Sequence, residues 1–146
     1  MNRAGNKAVR RAFTIIEVIV IVVILGVLAA IIAPRFFGRI GQSRQSVAKA
    51  NAASLASTMK TYMLDCGTPE AGATIDILWE RPGSVGEGQW KGPYVDNADA
   101  LLDPWGRQFI LRVPGEFNVD FDIVSYGLDG QQGGEEENAD VISGKK

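Results

Sequence analysis

Hydrophobic and polar positions divide this chain into three successive patterns. From Phe13 to Ala33 the residues are aliphatic, aromatic or small, and Glu17 is the one charge among them. At ~1.5 Å rise per residue such a run spans the ~30 Å hydrocarbon core of a bilayer, so it predicts a membrane-spanning helix. Between Ile40 and Leu64 the pattern becomes periodic. Ile40, Val47, Ala48, Ala52, Leu55, Met59, Tyr62 and Met63 recur at helical spacing and predict one apolar face. Arg44, Gln45, Lys49, Asn51, Ser54, Ser57 and Lys60 fall on the wet face, and Gly67 with Pro69 stops the helix just after Asp65 and Cys66. Pro34, Gly38 and Gly41 interrupt the upper part and predict a kink or a point of local melting there.

After Gly67 the segments are short and punctuated by Gly and Pro. Ile75–Trp79 reads as a helical turn and the stretch from Arg81 to Gly92 as a loop. Three runs read as strands: Gly92–Val95, Gln108–Val113 and Phe121–Tyr126. The last two are joined by the turn signal Pro114–Asn118, so a hairpin packed on the long helix is the economical arrangement. The predicted fold is α+β, a long N-terminal helix against a small antiparallel sheet. Trp79, Trp90, Trp105, Phe109 and Tyr126 are the expected core; each would otherwise serve as a binding aromatic.

Charge orients the first segment. Arg3, Lys7, Arg10 and Arg11 precede it with no acidic residue, which holds the N-terminus in the cytoplasm and sends the remainder across the membrane. A cleaved secretory signal begins in the same way, but its apolar region is shorter, ends at a small-x-small site and has no use for a carboxylate. Glu17 is the costly feature, since an ionised side chain at the bilayer centre costs at least ~2.5 kcal/mol and calls for a partner.

Composition narrows the function. A chain of 146 residues accommodates one compact domain. Loss of the four leader cations would move the formal charge from −2 to −6, and no basic patch follows residue 60, which argues against nucleic acid as a partner. The absence of histidine removes the commonest general base and zinc ligand, so the chain does not read as an enzyme. Cys66 is the single cysteine; it cannot form an internal disulfide and is expected as a small buried residue. From Ser125 to Val141 carboxylates alternate with glycines. Such a loop suits Ca²⁺, which takes six to eight oxygens, although the ligand spacing is not that of an EF-hand. On the residues alone, a solvated acidic loop and a cation site are both open.

Several motifs carry a resemblance. The basic leader followed by Phe13-Thr14-Ile15-Ile16-Glu17-Val18 resembles the processing signal of the type IV pilin and pseudopilin superfamily. Asp103-Pro104-Trp105-Gly106 resembles the signature of the major pseudopilins of type II secretion systems. Tyr62–Gly67, Trp90–Val95 and Asp122–Gly127 resemble, in order, that family's helix end, connecting loop and last strand.

The resemblance implies a pilin-like protein in four parts: a leader (1–12), an assembly helix (13–34), its amphipathic continuation (35–66) and a periplasmic head (67–146) with a calcium loop. It implies cleavage by prepilin peptidase between Ala12 and Phe13, methylation of the new Phe13 amine, and pairing of Glu17 with the Phe13 amine of a neighbouring copy. Ala12 departs from the family preference for Gly before the cut. Implied calcium ligands are Asp129 and Asp140, with Glu136 or Glu137 and the Tyr126 carbonyl. Implied partners are further copies in a pseudopilus, minor pseudopilins, the inner-membrane assembly platform and the peptidase. The location implied is the bacterial inner membrane with the head in the periplasm. A type IV or competence pilin for adhesion, motility or DNA uptake is the neighbouring alternative, and a calcium-binding anchor that never polymerises is a further one.

Overall fold

The computed structural model describes residues 13–145, apart from the side chains of 33–40. The leader, and with it the expected cut at Ala12, lies outside the described residues. Helix α1 covers Ile15–Cys66. Its backbone is helical through Pro34, Gly38 and Gly41, where composition predicts a joint. The chain divides between Gly38 and Arg39 into two compact units, each taken separately below.

In the first unit, Thr14 starts the helix. Its Oγ1 accepts a hydrogen bond from the Glu17 N–H at 3.3 Å, and its carbonyl accepts from Glu17 N at 3.1 Å. This is N-cap chemistry, and Glu17 places its negative charge in the first turn, where the helix dipole favours it. The window Ile15–Ile32 has a mean hydropathy of 3.3, and none of it is buried by the protein itself. A helix this apolar on every side is stable only in lipid or among like helices. The membrane-spanning expectation therefore keeps its physical basis.

The second unit carries the core. Ala48, Ala52, Leu55, Met59 and Tyr62 are buried along one face of α1, against Ile75, Leu78, Leu101, Phe109, Phe121, Ile123 and Val141. The stripe is narrower than the periodicity predicts: Val47 is 47% exposed and Met63 only half-buried. Ala48 and Ala52 are fully enclosed, and the larger Leu55, Met59 and Tyr62 complete the helix's side of the core.

The sheet has three strands in the order β1 (Ile110–Arg112), β2 (Asp122–Ser125), β3 (Val141–Ile142). β1 and β2 form the predicted antiparallel hairpin, with Ile110 opposite Val124 and Arg112 opposite Asp122. β3 returns antiparallel to the other edge of β2, placing Ile142 opposite Val124. Every residue of β2 is buried, as befits a central strand.

Three expectations change. Gly92–Val95 is not a strand: Tyr94 N donates one bond to the Leu78 carbonyl at 2.8 Å, and Pro93 has no N–H with which to extend a ladder. β3 was not predicted, because two residues carry no readable period. Of the five aromatics expected in the core only Phe109 is fully buried, beside Tyr62 and Phe121, whereas Trp79, Trp90, Trp105 and Tyr126 are half-buried. The indoles and the phenol keep polar tips that need partners, as when Trp90 Nε1 donates to the Ile77 carbonyl at 3.2 Å. The helical turn is found at Ile75–Leu78, and a further one at Ala98–Leu101 is capped by Asn97, whose side chain accepts from Ala100 N at 2.9 Å.

The C-terminal turn of α1 is tied to the following loop. Lys91 Nζ lies 2.8 Å from Asp65 Oδ1, and the Tyr94 hydroxyl donates to Asp65 Oδ2 at 3.0 Å. The Lys91 hydrogen bond holds the Asp65 carboxyl below its ordinary value, while burial pushes the Tyr94 hydroxyl up. Cys66 is half-buried beside them rather than fully enclosed, its Sγ 3.7 Å from the Tyr94 hydroxyl oxygen.

Candidate functional site

The site begins at the Asp103–Gly106 turn. Asp103 is 5% exposed, and its Oδ1 accepts from Trp105 N at 3.0 Å and Arg107 N at 2.9 Å. Its Oδ2 accepts from Ser125 Oγ at 2.6 Å, so the turn is pinned to β2. Gly106 takes φ +82°, a left-handed conformation that a side chain would disfavour. With the turn fixed, Trp105 reaches across to the last loop, where its Nε1 donates to Glu137 Oε1 at 3.2 Å. The Arg107 guanidinium donates to the Gly127 carbonyl in the same loop.

The last loop folds onto itself between β2 and β3. Leu128 N donates to the Glu137 carbonyl at 2.9 Å, and a short 3₁₀ turn spans Glu136–Asn138. Gly127 is required at the crossing: a Cβ there would stand 2.7 Å from the Glu137 carbonyl oxygen. Of the acidic side chains expected as ligands, Asp129 is exposed, and its Oδ1 accepts from Gln131 N at 3.0 Å. Asp140 is half-buried. Its Oδ2 accepts from Gly133 N at 2.9 Å, whereas its Oδ1 is buried with no hydrogen-bond partner. The Tyr126 carbonyl accepts from Gly130 N at 3.1 Å and has a second lone pair to offer.

The glutamates behave differently. Glu136 is exposed and holds φ +53°, while the Glu137 carboxylate lies between the Trp105 indole and Arg44 Nη1, the latter at 3.6 Å. Glu137 thus serves as a bridge from the loop to the turn and to α1. Among the described residues no three His, Cys, Asp or Glu side chains gather as a metal cage. The oxygen donors on hand are the two loop aspartates and backbone carbonyls.

The helix contributes a residue that sequence reasoning assigned to solvent. Gln45 Nε2 donates to the Glu137 carbonyl at 3.0 Å and to the Ala139 carbonyl at 2.9 Å. One turn earlier Gly41 is buried against Glu137, and a Cβ at position 41 would meet Glu137 Oε2 at 2.8 Å. The glycine that composition marks as a joint is thus also a point of close approach. No local signal could have exposed these contacts, because the partners of Gln45 lie 92 and 94 residues away.

Asp122 was likewise absent from the predicted site. Fully buried at the start of β2, its carboxylate accepts from the N–H groups of Glu116 (2.7 Å), Phe117 (2.8 Å) and Asn118 (2.9 Å) and from Asn118 Nδ2 (2.7 Å). Burial pushes its carboxyl up, and the bonds from Phe117, Asn118 and Glu116 together hold it below its ordinary value. Asn118 Nδ2 also reaches the Ser143 carbonyl at 2.8 Å, joining the hairpin tip to the chain after β3. In the first unit, Phe13 is 75% exposed and Glu17 is exposed, with no hydrogen-bond partner for the Glu17 carboxylate among the described residues.

Comparison with known proteins gives these features a context. The family described as type II secretion system (T2SS), protein G matches residues 35–144, and the prokaryotic N-terminal methylation motif matches residues 7–33. The type II secretion system core protein G of Xanthomonas campestris pv. campestris is 30% identical over 141 residues, covering 97% of this chain and 94% of that protein. That of Pseudomonas aeruginosa is 35% identical over 132 residues, 88% of this chain and 91% of its own length. The crystal structure of the major pseudopilin from the type 2 secretion system of enterohaemorrhagic Escherichia coli superposes with a TM-score of 0.57 at 26% identity, over 72% of this chain and 86% of that one. With the methylation motif on the apolar helix and the protein G match covering the rest, the chain belongs to the type II secretion protein G family, the major pseudopilins.

Proposed function

We propose that the protein is the structural subunit of a type II secretion pseudopilus, polymerising through its N-terminal helix to help export folded proteins across the outer membrane. The protein G match over residues 35–144 carries this reading and favours it over an adhesive or DNA-uptake pilin. The role is structural rather than catalytic. The leader stays on the cytoplasmic side, the head stands in the periplasm, and prepilin peptidase cuts between Ala12 and Phe13. The methylated Phe13 amine keeps its positive charge and meets the Glu17 carboxylate of an adjacent copy, which relieves the burial cost that each charge carries alone. Minor pseudopilins and the inner-membrane assembly platform complete the machinery. Mass analysis of the N-terminus of protein recovered from membranes tests the processing step: a methylated Phe13 is expected, and an intact leader would overturn it.

Ca²⁺ fits the last loop as an oxygen-seeking ion, and the buried Asp140 Oδ1 without a partner is the observation that supports it. Asp129, Asp140 and the Tyr126 carbonyl would hold the ion, and Glu136 is free to turn toward it, whereas Glu137 already has partners. When bound, the ion would offset part of the negative charge of the acidic loop. The chain's own contribution is to fold Gly127–Asp140 so that Asp140 Oδ1 is buried without a hydrogen-bond partner. A rise of several degrees in melting temperature on adding Ca²⁺ to chelator-treated protein is expected, and it should be lost in Asp129→Ala. An unchanged melting curve in the unaltered protein would remove the ion from the proposal.

A further inference from the structure

The last loop does not stand free of α1. It touches the helix through Gln45, Arg44 and Gly41, and the two carbonyls to which Gln45 donates, those of Glu137 and Ala139, lie three residues and one residue before Asp140. We infer that Gln45 is a positioning residue for the cation loop: its side-chain amide draws these carbonyls onto the helix and thereby presents the partnerless Asp140 Oδ1 to the ion. This inference rests on the calcium reading above.

The geometry favours Gln for this task. A primary amide nitrogen carries two N–H groups, and at 3.0 and 2.9 Å both are used, one on each carbonyl. A carbonyl bonded to Gln45 is held at a fixed distance from the helix axis, so the chain between 137 and 139 cannot slide along α1. Glu137 adds a second restraint. With its carboxylate between Trp105 and Arg44 and its backbone on Gln45, it is fixed at both ends, and the neighbouring Asp140 inherits that order. The buried Gly41 leaves the space in which the Glu137 side chain lies against the helix. Residues that orient a metal's ligands without touching the metal commonly govern affinity by ~10–100-fold when removed.

Gln45→Leu keeps the side-chain volume and deletes both donors; Gln45→Asn keeps the amide but shortens its reach. Full-length protein in detergent micelles, carrying each change, would be titrated with CaCl₂ and followed by thermal melting in Ca²⁺ and in chelator. Hydrogen exchange of the peptides covering 41–49 and 135–142 would be measured under both conditions. Gln45→Leu is expected to weaken Ca²⁺ binding by about tenfold, to shrink the Ca²⁺-induced rise in melting temperature, and to speed exchange at 135–142 even in chelator. Gln45→Asn should fall between it and the unaltered protein.

A variant that melts lower by the same amount in Ca²⁺ and in chelator, with Ca²⁺ affinity retained, would show a merely structural contact and overturn the inference. So would unchanged exchange at 135–142. If the unaltered protein binds no Ca²⁺, the ion reading fails on its own and the positioning of Asp140 for an ion falls with it, while exchange in chelator still decides whether Gln45 orders the loop.

Discussion

Glu17→Ala is expected to leave the protein in the membrane and to abolish most of its filament assembly. Insertion depends on the apolar run Ile15–Ile32, with mean hydropathy 3.3, and removing a carboxylate makes that run more apolar still. Assembly depends on something else. In the proposed filament the Glu17 carboxylate meets a methylated amine away from water. Deleting one member of a buried pair leaves the other charge uncompensated, at ~3–5 kcal/mol. With each ~1.4 kcal/mol worth tenfold, the subunit–subunit equilibrium shifts by about a hundredfold or more at every contact. Carbonate extraction of membranes should recover the variant in amounts like the unaltered protein, and shearing or cross-linking should yield almost no polymer. Normal polymer yield would exclude the pairing. Thr14 contributes to a different property, the start of the helix, so the insertion and assembly effects are separable from fraying of the first turn.

The second large effect is predicted in the head. Asp122→Ala should destabilise it by ~3–5 kcal/mol, a large fraction of what a small domain possesses, because three backbone N–H groups at the hairpin tip and the Asn118 amide lose their common acceptor. Asp122→Asn preserves the size but places an N–H₂ group where the Glu116 and Phe117 N–H groups already point, so it should destabilise nearly as much at neutral pH. The sign with pH follows from the carboxyl being held below its ordinary 3.8. The unfolded chain then binds the proton first, so the stabilisation from Asp122 is complete above ~5 and is lost as pH falls through 3.8 toward the folded value. Denaturant melts of the unaltered protein and of Asp122→Asn should therefore differ widely at pH 7 and converge at the acid end. A gap that stays constant with pH would show that the ionised carboxylate is not what organises the tip.

Much of the architecture was legible because it is written in long-period patterns. The apolar run, the Ala48–Tyr62 stripe and the alternation around a Pro-Gly turn each repeat often enough to be read locally, and each produced its element. What escaped is short or distant. β3 is two residues held by pairing with β2, and Gly92–Val95 looks extended in composition yet makes one ladder-like bond. The tryptophans were misread in degree, since aromatic bulk suggested full burial while their nitrogens sought partners near the surface. The candidate loop was visible as chemistry, aspartates among glycines, but its division of labour was not. Glu136 and Glu137 are adjacent in sequence and opposite in circumstance, one exposed and one bound to Trp105 and Arg44. Gln45 and Asp103 act through partners that only folding brings near, whereas Asp122 binds the hairpin tip just before it, in a local pattern that the strand reading did not single out.

The buried positions 48, 52, 55, 59 and 62 set the azimuth of α1 as well as its attachment. Each residue advances the helix by ~100°, so a single residue inserted between Gln45 and Ala48 would turn Gln45 and Gly41 off the loop while the core below stayed seated. Seven inserted residues bring the angle back to within ~20° and add ~10 Å of length. In this fold the spacing between Gln45 and Ala48 fixes both the azimuth and the height of the helix at the loop: one extra residue breaks the phase, and a whole heptad restores the phase but lifts Gln45 and Gly41 past the carbonyls they meet.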